Sequence, residues 1–170
     1  LFEFENIHYE AEQSLTKPIN EQIGWITGSQ VCYCAEAFQG VSREHPDAPA
    51  LSVLATVLRN GFLHTAIREK GGAYGAGATN DTATNTFKFF SYRDPKCTET
   101  FTAFKDAIEW SKTSITEQRL EEAILGVVSS IDKPLSPVGE AKNDFNFNLE
   151  DISTKERLEM RQRVINCSIE

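Results

Sequence analysis

The order of elements along the chain predicts an α+β fold, a largely antiparallel sheet with several helices packed on one face. Three observations predict it. β-Prone runs come in pairs joined by short turn-like stretches, a helical pattern separates the two pairs, and the second half of the chain reads as one helix after another. A doubly wound parallel sheet would require strand and helix to alternate throughout. With 170 residues, 40% apolar and 25% charged, the chain can bury one core that stands on packing without a metal or disulfide staple.

Residues 1–20 are polar, mix both signs of charge and end in Lys17-Pro18, so they read as a lead-in segment to a domain over 21–170. Runs rich in Ile, Val, Tyr and Trp from Gln22 to Thr27 and from Gln30 to Phe38 flank Gly28-Ser29, a two-residue turn that predicts a hairpin. His45-Pro46-Asp47 opens a helix, because proline suits the first turn and Asp the positive end of the dipole. Leu51, Leu54 and Leu58 form its stripe, and Leu63 and Ile67 continue it past a break or kink expected at Asn60-Gly61. Gly71-Gly72 stops that helix, and strands follow at 73–80 and 86–92 with a loop over 81–85. Asp94-Pro95 reads as a cap and first-turn proline for a helix striped by Phe101, Phe104 and Ile108. Thr116 caps the next, with Leu120, Ile124, Val127 and Ile131 facing inward. Ser136-Pro137 starts another through Val138, Ala141, Phe145 and Leu149, although Phe145, Phe147 and Leu149 also alternate as a strand would. Ser153 and Glu156 make a capping box for a last helix bearing Leu158, Arg161 and Ile165 on one face.

Seventeen Lys and Arg against 25 Asp and Glu give a formal charge of −8, which argues against a protein that tracks nucleic-acid phosphates or anionic membranes. No apolar run approaches the roughly 20 residues of a membrane span. Cys32, Cys34, Cys97 and Cys167 read as free structural thiols of a reducing compartment, since no second Cys or His pair sits at zinc-finger spacing.

The histidines, His8, His45 and His64, form neither H-E-x-x-H nor H-x-x-E-H, so no metal site is expected from this chain's own local sequence. His45 reads as a turn residue and His64 as a helix-face residue. The run from Gly71 to Gly77 is not a phosphate loop, because a helix precedes it and a strand follows, the reverse of what phosphate binding needs. Alternate glycines on a strand leave one face bare, so that another segment or a ligand can lie against the backbone. Arg68 and Tyr74 flank the double glycine and could offer a guanidinium fork and a phenolic donor to a peptide carbonyl, as in oxyanion stabilisation. On spacing alone a structural reading is the stronger, with Arg68 paired to a surface carboxylate and Tyr74 packed with its O–H satisfied.

The stretch from Leu58 through Arg68-Glu69-Lys70-Gly71-Gly72-Ala73-Tyr74-Gly75, followed by Phe89-Phe90-Ser91-Tyr92-Arg93-Asp94-Pro95, closely resembles the C-terminal half of presequence proteases and falcilysin-like enzymes. These belong to the pitrilysin and insulinase family of inverted-motif zinc peptidases. The likeness runs from about Gln22 to Asn166 and is most specific from Leu58 to Pro95. It implies one α+β domain of a larger, two-halved peptidase, with its final strands beyond Glu170 and the Zn2+ cofactor, its ligands and the general-base glutamate in an N-terminal half that partners this one. By the same likeness Tyr74 hydrogen-bonds the scissile carbonyl oxygen, Arg68 holds the transition state and the substrate backbone, and Gly75 lies among the substrate-binding residues. The implied substrates are unfolded peptides, cleaved targeting sequences among them. The implied setting is intracellular: a mitochondrion or other organelle in a eukaryote, the cytoplasm in a bacterium. The segment alone is expected to be inactive. A rival reading is a noncatalytic scaffold or interaction domain of the same fold, as in processing-peptidase and respiratory-complex core subunits; retention of both Arg68 and Tyr74 favours the peptidase.

Overall fold

Period-two alternation sets the centre of the sheet. In the computed structural model, which describes residues 21–169, strand β3 (Thr86–Asp94) buries Phe87, Phe89 and Ser91 on one face and turns Lys88, Phe90 and Tyr92 to the other. It pairs antiparallel with β1 (Cys32–Gln39) on one side and β2 (Gly75–Asp81) on the other, in the order β1-β3-β2. The sheet is thus antiparallel, helices cover the face that carries Phe89, and the α+β class holds. The expected lead-in at 1–20, His8 included, lies outside the described residues.

The expected hairpin over 22–38 does not form. Its second half is β1, but residues 21–31 contain no strand, and Ile23, Trp25 and Ile26 are largely exposed. A two-residue turn signal holds a hairpin only when the paired strand also buries a face. Among the described residues no element crosses the outer edge of β1 to cover Ile23 and Trp25, so β1 pairs only inward, with β3. The β2–β3 hairpin does form.

Helix α1 (Ala48–Leu58) starts after Asp47, with the His45 Nδ1 accepting the Asp47 N–H at 3.1 Å, a turn role for that histidine. Of the break or kink expected at Asn60-Gly61, no break occurs, but the winding of the helix changes beside it. The helix instead continues in a wider π-helical winding over Arg59–Glu69, where Lys70 N–H bonds the Thr65 carbonyl five residues back at 3.0 Å. Gly61 serves packing: a Cβ there would run into the Trp110 ring, which also lies 5.9 Å from the ring of Phe62. The joined helix spans 22 residues and by length and composition alone could cross a membrane. Its stripe of Val53, Val57, Leu58, Leu63 and Ile67 is buried inside the domain, as in a core helix.

Asp94 does not start a helix. It closes β3 fully buried, accepting the Lys96 N–H at 2.9 Å and the Thr100 hydroxyl at 2.8 Å, and so ties the strand to α2 (Thr98–Ser114). Thr116, Ser136 and the Ser153–Glu156 capping box begin α3 (Glu117–Ile131), α4 (Pro137–Leu149) and α5 (Thr154–Ile165), as their sequences predict. The apolar faces of the last helices are less well covered. Val138, Phe145 and Leu149 of α4 and Leu158 of α5 are exposed, as is Ile131 at the end of α3. Amphipathic spacing names a face, and only a neighbouring element can bury it. Arginines fasten these helices instead: Arg161 grips Asp132 with a fork at 2.6–2.9 Å, Arg157 lies 4.1 Å over Phe147, and Arg163 donates to the carbonyls of Arg43, His45 and Pro46.

The main core gathers Leu58, Leu63 and Ile67 of the first helix, Phe87 and Phe89 of the sheet, and Phe104 and Ala107 of α2. A second joins Val53 and Val57 to Leu120, Ala123 and Val164. At the β2–β3 turn, the Lys88 ammonium 2.5 Å from Asp81, helped by Thr84, holds the Asp81 carboxyl at about 2 instead of its ordinary 3.8. A carboxylate so depressed adds stability above its unfolded value and loses it as pH falls towards the folded one. Acid titration from pH 4 to 2 should therefore destabilise the protein, and Lys88→Met should flatten that part of the profile; an unaltered slope in the variant would remove the pair from the acid response.

Candidate functional site

Two glycines bring the site together. Gly72 sits at φ +87°, a conformation that suits glycine, and a Cβ at Gly71 would collide with the Ile67 carbonyl. Gly72 N–H bonds the Arg68 carbonyl at 3.0 Å and Ala73 N–H the Ile67 carbonyl at 3.1 Å, so the chain folds back from the end of the helix into β2. Arg68 and Tyr74 thereby line the same open depression of about 760 Å³, together with Val31, His64, Glu69 and Arg93.

Neither half of the structural reading for these two residues is met among the described residues. Arg68 makes no ion pair with a carboxylate; its guanidinium donates to His64 Nε2 at 3.1 Å. That contact requires Nε2 to accept, which leaves the ring proton on Nδ1, 3.4 Å from Glu69 Oε1. A carboxylate, an imidazole and a guanidinium thus stand in a row, joined by one hydrogen bond, from Arg68 to His64. Tyr74 is 63% exposed, and its hydroxyl has no hydrogen-bond partner among the described residues. Its ring lies 5.7 Å from the Tyr92 ring and 5.4 Å under the Arg93 guanidinium.

Gly75 is buried, and its bare face is covered by the ring of Tyr92 directly across the β2–β3 pair; a Cβ there would strike that ring. Gly77 stands in the same relation to Phe90. The alternate glycines therefore make room for cross-strand aromatics, and one of these supports Tyr74. Sequence reading missed His64, Arg93 and Tyr92. The spacing of His64 four residues before Arg68 on a helix was a usable signal. The place of Arg93 follows from strand register and had none.

The cysteines are free: Cys34 buried, Cys32 and Cys167 half-buried, Cys97 exposed. Burial pushes the Cys34 thiol up to about 11, which keeps it protonated and inert. Among the described residues no group of three His, Cys, Asp or Glu side chains could hold a metal ion. The residues described here do not fit a zinc site.

Fold and site together define an α+β domain, with helices behind an antiparallel sheet and an arginine and a tyrosine on an open depression. The same fold occurs in a crystal structure of the inactive peptidase domain of a proposed zinc protease from Bordetella parapertussis, at a TM-score of 0.65 and 14% identity over 80% of this chain and 79% of that one. The chain belongs to the PreP C-terminal domain family, whose model matches residues 29–170. It is 38% identical over 143 residues to the mitochondrial presequence protease of Eremothecium gossypii, covering 83% of this chain and 14% of that protein. The corresponding protein of Mus musculus is 38% identical over 136 residues, covering 79% of this chain and 13% of its own length. That of Drosophila melanogaster is 35% identical over 168 residues, covering 97% and 15%. The chain spans about one-seventh of the length of these relatives.

Proposed function

We propose that this chain is the substrate-clamping part of a zinc-dependent endopeptidase that degrades unfolded peptides such as cleaved targeting presequences. The zinc ligands lie in an N-terminal part of the same parent chain. The observation that carries this reading is the shared placement of Arg68 and Tyr74 on one open depression, with the Tyr74 hydroxyl unpartnered among the described residues. A phenolic donor at an open surface, bonded to no protein group among the described residues, is available to a ligand acceptor.

In this reading Tyr74 donates its hydroxyl proton in a hydrogen bond to the scissile carbonyl oxygen as that oxygen gains negative charge. Arg68 donates to substrate backbone carbonyls, held in place by its hydrogen bond to His64. Gly75 serves the site through Tyr92, whose ring it admits beside Tyr74. The depression is broad and open, which suits an extended chain better than a small molecule. Zinc, when bound in the parent, supplies the Lewis acid and the activated water. The names of the relatives support the substrate class and a mitochondrial setting.

The test takes the parent protein and this segment side by side. In the parent, Arg68→Ala should lower kcat/KM for an unfolded peptide about tenfold or more, the worth of a charged hydrogen bond, with zinc content unchanged. The segment alone should bind no stoichiometric zinc and cleave nothing. Chelator-sensitive cleavage by the segment, or an Arg68→Ala parent with wild-type kcat/KM, would contradict the reading.

A further inference from the structure

Arg93 occupies an unusual place. Cys32 pairs with Asp94 and Cys34 with Ser91, so one residue of β1, Tyr33, stands opposite two of β3, Tyr92 and Arg93. This is a bulge in the sheet, the device by which a strand re-aims a side chain. Arg93 takes the strain of it, at φ +49°, a left-handed conformation that disfavours a residue with a Cβ. Glycine would fill the position without that cost.

What the arginine does there is visible in its contacts. Its carbonyl accepts the Tyr74 N–H at 3.3 Å, and its guanidinium lies over the Tyr74 ring at 5.4 Å from the centroid. It makes no ion pair and no side-chain hydrogen bond among the described residues. With Tyr92 at 5.7 Å on another side, Arg93 flanks a tyrosine ring that remains 63% exposed. A strained backbone is kept where the surrounding structure makes use of it, and here the Arg93 side chain is set against Tyr74.

We infer that Arg93 is a positioning residue, which the bulge of β3 aims at Tyr74 so that the phenol is fixed before a peptide arrives. The inference rests on the role of Tyr74 proposed above. Arg93 itself touches no reacting atom; it narrows the range of directions in which the Tyr74 hydroxyl can point.

A double-mutant cycle in the full-length parent tests it, with kcat and KM measured on an unfolded peptide. Arg93→Ala should lower kcat about tenfold with KM little changed, because orientation of an oxyanion donor acts in the transition state. In the Tyr74→Phe background the same change should lower kcat less than about twofold, since no hydroxyl is left to orient. Arg93→Lys, which keeps a cation over the ring, should recover most of the loss. Arg93→Gly should keep or raise the melting temperature while losing kcat like Arg93→Ala, so reduced activity cannot be laid to unfolding. Equal losses in both backgrounds, or no loss in the wild-type background, would overturn the inference with the role of Tyr74 intact. If Tyr74→Phe is itself without effect, the proposed function fails first, and the inference falls with it.

Discussion

Phe104→Ala should cost the domain about 3–5 kcal/mol, the range for deleting a fully buried aromatic from a close-packed core. Phe104 is 0% exposed, stacks on Phe89 at 5.4 Å and meets Phe101 edge-on at 5.7 Å. With the Thr100–Asp94 hydrogen bond it holds α2 to the central strand, and Phe89 is itself 1% exposed with Phe87 against it at 5.5 Å. Rigid neighbours of this kind cannot collapse into the space, so the cavity penalty adds to the lost transfer energy. Such a loss is a large part of the stability of an ordinary domain. Denaturant melts of wild type and variant measure it; a loss under about 1 kcal/mol would mean that the Phe89–Phe104 stack is not the centre of the core.

Core and caps were legible in the sequence for the same reason: each depends on residues close together in the chain. Thr116, Ser136 and the Ser153–Glu156 box start helices where local hydrogen-bonding chemistry says they should. Phe104 on its stripe and Gly72 at the helix stop followed likewise. What failed depends on which segments meet. Ile23 and Trp25 alternate as a strand does, yet β1 finds its partner far along the chain, where Glu36 pairs with Phe89, and offers 21–31 nothing to pair with. Gly61 looked like a helix breaker because the ring of Trp110 that fills its place comes from a different helix. Val138, Phe145 and Leu149 show a helical face that the described residues leave exposed.

The site divides in the same way. Arg68 and Tyr74 could be paired from sequence because the turn between them is local. The Glu69–His64–Arg68 row needed helix geometry, and the pi-helical winding of Arg59–Glu69 shifts which residues lie above one another. Arg93 needed the sheet register, since nothing in the run Tyr92-Arg93-Asp94 announces a bulge that exists only against β1. The rings around Gly75 needed it too, because Tyr92 covers that glycine from the opposite strand.

Removing one oxygen atom tests whether Tyr74 acts on the substrate. Tyr74→Phe keeps the ring between Arg93 and Tyr92 and deletes a hydroxyl with no partner among the described residues, so fold and stability should not change. Loss of a principal oxyanion donor is worth about 3 kcal/mol, or roughly a hundredfold in kcat, and it falls on the transition state more than on substrate binding. The decisive measurement is kcat for cleavage of an unfolded peptide by the full-length Tyr74→Phe parent, with its zinc content determined on the same sample. Full zinc occupancy with kcat reduced about a hundredfold is the expected result. Full occupancy with wild-type kcat would contradict that role, remove Tyr74 from the chemistry, and leave this domain the part of a scaffold.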